Sequence, residues 1–190
     1  MAAQLHPTIA MLVWILAAHL EPGSVSLYAT GSPGILDVGS ISADAGLVAE
    51  LAELLRVAGF DSQCRVDIMS WKRAKLVSNL PGILQISSAP ADAALIDALI
   101  AEGQAVFEKA ELPYTDLEVF AARMRGAGHA AIDSVERPGG SLWQSKARGT
   151  TSEVEHLNGY IVQLGAQLGV PTPINSRLLA KLSNIRYPDG

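Results

Sequence analysis

The apolar stripe Val154, Leu157, Ile161, Leu164 and Leu168 constrains this chain more than any other feature, because its three-then-four spacing fits one face of an α-helix and no strand. Gly169 stands where such a helix stops, and Pro171 and Pro173 cannot continue it, so the pattern predicts a helix from about Thr151 to Gly169. Ahead of it runs a glycine-bearing loop, Pro138, Gly139, Gly140 and Ser141. The loop precedes a helix N-terminus, where backbone N–H groups and the macrodipole favour anions. Glu153, in the first turn, has two readings. Thr150 with Glu153 and Ser152 with Glu155 each fit the Ser/Thr-x-x-Glu box, in which the carboxylate satisfies an orphan backbone donor. Alternatively, carboxylate and loop frame a small anion-binding or catalytic pocket.

Composition narrows the partners. The chain has 190 residues, 49% of them hydrophobic and 17% charged, enough for one ordinary core or for one domain with a fragment of another. A net charge of -5 with no clustered basic face argues against nucleic acid. Cys64 stands alone, which excludes a disulfide framework and a cysteine metal site and suits a reducing cytoplasm. His129 and His156 lack metal-ligand partners at useful spacing. The apolar run Thr8 to Leu20 falls short of the ~20 residues that a bilayer span needs, and Met1 to Pro7 carries no basic residue of the kind a secretory leader uses. No membrane segment is expected, and the run reads as a buried strand.

Residues 1–39 are β-formers broken by Pro22-Gly23 and by Gly31 to Gly34, which gives strands in Thr8–Leu20, Val25–Ala29 and Ile35–Val38. A helix follows through Leu47, Val48, Leu51, Leu54 and Leu55, with Gly59 as its C-terminal cap. A strand over Gln63–Val66 leads to a helix over Ile68–Leu80 that Pro81 ends. Pro90–Ala110 reads as a helix with Pro90 near its first position and Leu95, Ile96, Leu99 and Ile100 as its core stripe. Thr115–Met124 opens with a Thr115–Glu118 capping box. Lys75 and Asn79, four apart, share one helical face; spacing alone makes them a solvated lysine and a helix-end amide. Trp71 and Trp143 read as packing residues. No G-x-G-x-x-G opening a helix occurs, and Gly31-Ser32-Pro33-Gly34 has the wrong spacing and a proline where a phosphate loop needs N–H donors.

The run GGSLWQSKARGTTSEVEHLNGYIVQLGAQLGVPTPIN, Gly139 to Asn175, resembles the C-terminal signature of the ketopantoate reductase family: a Ser, a following Gln, an E-x-[DE]-x-x-N-G helix start and a closing G-V-P-T-P-x-N. WKRAKLVSNL resembles the family's W-K-x-x-K-L-x-x-N-L, and His19–Gly23 with Gly34–Gly39 resemble its H-L-E-P-G and G-I-L-D-x-G. The resemblance implies a mainly α fold. Residues 67–190 would form a helical substrate-binding domain like the C-terminal domain of 6-phosphogluconate dehydrogenase, behind residues 1–66 as a β-rich remnant of a Rossmann α/β domain. The front of that nucleotide domain is expected to be lost or supplied elsewhere.

The implied activity is NADPH-dependent reduction of a small 2-keto acid, 2-dehydropantoate to pantoate in pantothenate biosynthesis, in the cytoplasm. By order and spacing the resemblance makes Lys75 the catalytic general acid and Glu153 the active-site glutamate, with Asn79 and Ser141 binding substrate. Gln144 and Asn158 are assigned to structure. Where the family commonly carries a further asparagine, this chain has Gly82 and Ile83. Lys75, Asn79, Ser141 and Glu153 are expected to converge on one cleft, and the isolated chain is expected not to hold NADPH tightly. The alternative is a non-enzymatic helical remnant serving as a homodimer or interaction surface.

Overall fold

The computed structural model describes residues 6–87, 89–132, 139–147 and 153–183, and of residues 141, 146, 147 and 183 the backbone alone. Two compact units result, one of residues 1–74 with 114–137, the other of residues 75–113 with 138–190.

In the first unit the longest apolar run becomes β1 (Ile9–Ile15) and then β2 (Ala17–Ala18). The run expected over Val25–Ala29 divides into β3 (Ser26–Leu27), paired with β2, and β4 (Ala29–Thr30). β5 (Gly34–Ser40) lies antiparallel to β1, with Leu12 opposite Asp37, and is buried along nearly its whole length. Such burial needs cover on both faces. α1 (Ala45–Val57) covers one: Val48 and Ala52 pack on Val38. The other face meets the first half of α2 (Ile68–Asn79) and α5 (Leu117–Met124), where Trp71, Ala74, Phe120 and Met124 pack on Leu12 and Ile35.

After α1 the chain returns parallel to β5: Leu36 N–H donates to the Asp61 carbonyl at 2.9 Å and Val38 N–H to the Gln63 carbonyl at 3.0 Å. A parallel return through a helix is a β-α-β connection, the building unit of α/β sheets. Asp37, fully buried on β5, is held by Arg65 and by Arg123 of α5, and Arg123 also grips Asp61. Burial of the Asp37 carboxylate is tolerable because it is paired and hydrogen-bonded. β6 (Gly128–His129) pairs with β4.

The second unit is helical. α2 ends at Asn79 and gives way to a 3₁₀ turn over Leu80–Ile83 that carries Pro81, then to the short α3 (Leu84–Ser87). α4 (Ala93–Lys109) begins later than the proline suggested, because Asp92 is its N-cap and accepts from Leu95 N–H at 2.7 Å. α5 shows the same correction: Asp116, not the Thr115–Glu118 box, accepts from Glu118 and Val119 N–H, and Thr115 Oγ1 is buried without a partner.

α6 (Ser141–Ala147) packs on α3. The long helix runs as a π-type turn over Glu155–Gly159 into α7 (Tyr160–Leu168) and stops at Gly169, whose φ of 70° suits a residue without a side chain. Its expected start at Thr151, and the partners Thr150 and Ser152 of both capping boxes, lie outside the described residues. α8 (Pro173–Ser183) closes the unit against α4. Gly165 permits the close crossing of α7 with α4, since a Cβ there would lie 2.8 Å from the Val170 carbonyl and 3.2 Å from Val106. No described helix is long and apolar enough to cross a membrane.

Candidate functional site

The helical unit contains a cavity of about 300 Å³, within the range of pockets that hold small molecules. Local sequence explains how its floor is made. α2 cannot run past Pro81, so its last residue, Asn79, is left at the helix end with its amide at the cavity wall. Ser78 precedes it and spends its hydroxyl hydrogen on the Lys75 carbonyl at 2.9 Å. Across the cavity stands the glycine loop: Gly140 lines it, and its N–H donates to Gln85 Oε1 at 3.4 Å. Gln144, on the first turns of α6, holds that loop from behind by donating Nε2–H to the Gly139 carbonyl at 3.4 Å.

Of the four residues singled out from sequence, Asn79 lines the cavity. Ser141 follows Gly140 as the first residue of α6, and its side chain lies outside what is described. Lys75 is half-buried one turn before Asn79 on the same helix, but it is not among the residues lining the cavity. Glu153 is exposed at the start of the long helix, where its carbonyl accepts from His156 N–H at 2.9 Å and Leu157 N–H at 3.2 Å; it too is off the lining.

Behind the cavity lies a buried polar chain, of which the sequence reading had only the structural assignment of Asn158. Asn158, fully buried, donates Nδ2–H to the Leu80 carbonyl at 3.1 Å and to Asn175 Oδ1 at 2.8 Å. Asn175, also fully buried, donates to Glu102, whose carboxylate in addition accepts the Ile174 and Asn175 backbone N–H groups at the start of α8. The Leu80 carbonyl belongs to the residue after Asn79, so this chain of bonds fixes the helix end on which Asn79 sits. Glu102 gave one signal: a carboxylate one turn past Leu99 and four before Val106, on the stripe of α4 that should be apolar. Asn158 Oδ1 has no partner. Among the described residues no group of His, Cys, Asp or Glu could hold a metal ion.

At the Gly31–Gly34 turn Ser32 Oγ bonds Gly34 and also accepts Asp61 N–H at 2.9 Å.

Residues 67–186 match the model of the ketopantoate reductase PanE/ApbA C-terminal domain. The chain belongs to the ketopantoate reductase family. Among curated proteins none matches it. Among solved structures it is similar to a PanE/ApbA family ketopantoate reductase from Ralstonia eutropha JMP134, with 25% identity and a TM-score of 0.70 over 92% of this chain and 58% of that one. It is also similar to 2-dehydropantoate 2-reductase from Methylococcus capsulatus, at 19% identity and a TM-score of 0.72 over 94% of this chain and 64% of that one. D-mandelate dehydrogenase in complex with NADH shares the fold at 20% identity and a TM-score of 0.69, covering 92% of this chain and 61% of that one. This family member thus spans 58% to 64% of the length of these solved relatives. Their fold agrees with a helical C-terminal domain behind a small β-rich part.

Proposed function

We propose that the chain is the substrate-binding part of a nicotinamide-dependent 2-keto acid reductase of the 2-dehydropantoate type, residues 67–190 forming the substrate domain and residues 1–66 the end of a nucleotide domain. The observation that carries this reading is the seat of Asn79 at a small cavity that Gly140 also lines, in a member of this family. Reduction of a 2-keto acid needs the substrate held in register and an acid beside its carbonyl oxygen. Asn79 and the backbone of the glycine loop serve the first need. Lys75, one helical turn away, serves the second by giving an ammonium proton to the carbonyl oxygen, and Glu153 orients that ammonium or takes a substrate hydroxyl.

NADPH is the hydride source by family membership. Tight NADPH binding by this chain alone is not expected, because no G-x-G-x-x-G opens a helix in its sequence. The test is calorimetric titration of the chain with 2-dehydropantoate. Binding should be saturable and weakened tenfold or more by Asn79→Ala, the loss of about one good hydrogen bond. Equal binding by the variant would refute the assignment. The second reading, a non-catalytic interaction module, is favoured by the position of Lys75 and Glu153 off the cavity lining, and it predicts no binding at all.

A further inference from the structure

We propose that Gln85 is a substrate-binding residue of this cavity: its amide nitrogen donates to the carboxylate of a 2-keto acid, and its amide oxygen holds the glycine loop until that acid arrives. The proposal rests on the function proposed above and deepens it by naming a further residue of the same site.

Gln85 stands on α3, six residues beyond Asn79, and both line the cavity. On one continuous α-helix, residues six apart would point about 120° away from each other. The 3₁₀ turn over Leu80–Ile83 winds more tightly, at about three residues per turn, and closes most of that gap. The turn that carries Pro81 thus brings two primary amides to one small space.

Among the described residues no charged side chain lines the cavity, so an anion there is held by neutral donors. Leu84, Ile96, Leu142 and Leu157 offer none from their side chains, and the Ser78 hydroxyl hydrogen goes to the Lys75 carbonyl. Gln85 is oriented by its neighbour. Gly140 N–H can only donate, so the atom it meets at 3.4 Å is the amide oxygen, which leaves both Nε2 hydrogens without a partner among the described residues. That bond is longer than the usual range of about 2.7–3.2 Å and is readily exchanged for a charge-assisted one. The two oxygens of a carboxylate suit the exchange: one accepts Gly140 N–H in place of Gln85 Oε1, and the other accepts Gln85 Nε2–H.

Two substitutions separate binding from loop-holding. Gln85 is exposed, and Met and Glu equal Gln in helix propensity, so both variants should keep the urea midpoint of the unaltered chain. Gln85→Met removes donor and acceptor together. Gln85→Glu keeps an oxygen for Gly140 N–H, loses the donor and sets a negative charge against the acid. Titrated by calorimetry with 2-dehydropantoate at neutral pH, Gln85→Met should bind at least threefold more weakly than the unaltered chain, the loss of about one partly hydrated hydrogen bond, and Gln85→Glu more weakly still. Gln85→Ala gives the first readout if the methionine variant does not fold. A loss of less than threefold in Gln85→Met means that the amide faces only water, and binding by Gln85→Glu that matches or exceeds that of Gln85→Met means that it only holds the loop. Either result overturns the proposal and leaves the proposed function standing. No binding by the unaltered chain overturns the proposed function, and the proposal with it.

Discussion

Asn158→Asp keeps the shape of a fully buried side chain and removes its donor, so any loss of stability reports on hydrogen bonding rather than on a cavity. In the native chain Nδ2 serves the Leu80 carbonyl at 3.1 Å and Asn175 Oδ1 at 2.8 Å. An ionised carboxylate would face both acceptors. Each buried acceptor left unmade costs about 1–3 kcal/mol, and an unpaired buried charge about 3–5 kcal/mol. The charge sets the larger figure, because the introduced carboxyl can escape it by staying protonated, when its one O–H still serves one of the two acceptors. The destabilisation should therefore be about 3–5 kcal/mol at neutral pH and shrink toward about 1–3 kcal/mol in acid. The direction follows from burial, which raises the folded-state pKa of the introduced carboxyl above its unfolded value. The penalty is then absent below the unfolded value, about 3.9, and grows as pH rises through the folded one. Urea unfolding followed by circular dichroism, at pH 7 and again near the carboxyl range, measures both. A loss under about 1 kcal/mol at neutral pH would mean that the Asn158 amide clamps nothing.

Three further outcomes are expected. Glu102→Ala should destabilise by about 2–4 kcal/mol in urea, since charge-assisted bonds to the Ile174 and Asn175 N–H groups disappear together. Gly165→Ala should lower thermal stability by about 1–3 kcal/mol, because the new methyl meets the Val170 carbonyl at 2.8 Å and Thr172 Cγ2 at 2.9 Å. The Asp61 carboxyl is held below its usual range by its hydrogen bond from Arg123, against the opposing effect of burial. Its share of stability is thus complete above its unfolded value of about 3.9 and is lost as pH falls through the folded one, and Arg123→Leu should flatten that part of the acid limb. Asp61 is over a third exposed, so that share is small, about 0–1 kcal/mol, and acid titration of urea midpoints measures it.

The elements were legible in the sequence because their causes are local. Pro81 ends α2 and Gly169 ends α7 in the structure as in the pattern. The stripe of the long helix came out displaced. Its buried residues are Val154, Asn158, Ile161 and Gly165, while Leu157, Leu164 and Leu168 are half-buried. Hydrophobicity cannot see why: Asn158 is buried for its amide and Gly165 for having no side chain, and Leu157 turns to the cavity instead. Helix starts were misread where an aspartate one residue before the helix outbid a neighbouring motif, Asp92 over Pro90 and Asp116 over Thr115. The helix-end position of Asn79 could be read from its spacing before a proline. The cavity's far wall could not, because Ile96, Leu142 and Leu157 come from separate elements that only tertiary packing joins.

The cap on α8 has a consequence for the order of folding. Thr172 stands just before that helix, yet its hydroxyl is engaged with Ser176 Oγ at 3.3 Å, and the first free N–H groups are satisfied by Glu102, 72 residues earlier in sequence. A helix of 11 residues is too short to persist alone in water, where roughly 12–15 are needed even for favourable sequences. α8 therefore forms late, on a docked α4 that supplies its missing first turn. That loop closure is long, and long closures slow the search for the native state. A ribosome making this chain would have completed α4 well before the segment it must cap exists, leaving Glu102 exposed to water until Ile174 and Asn175 arrive.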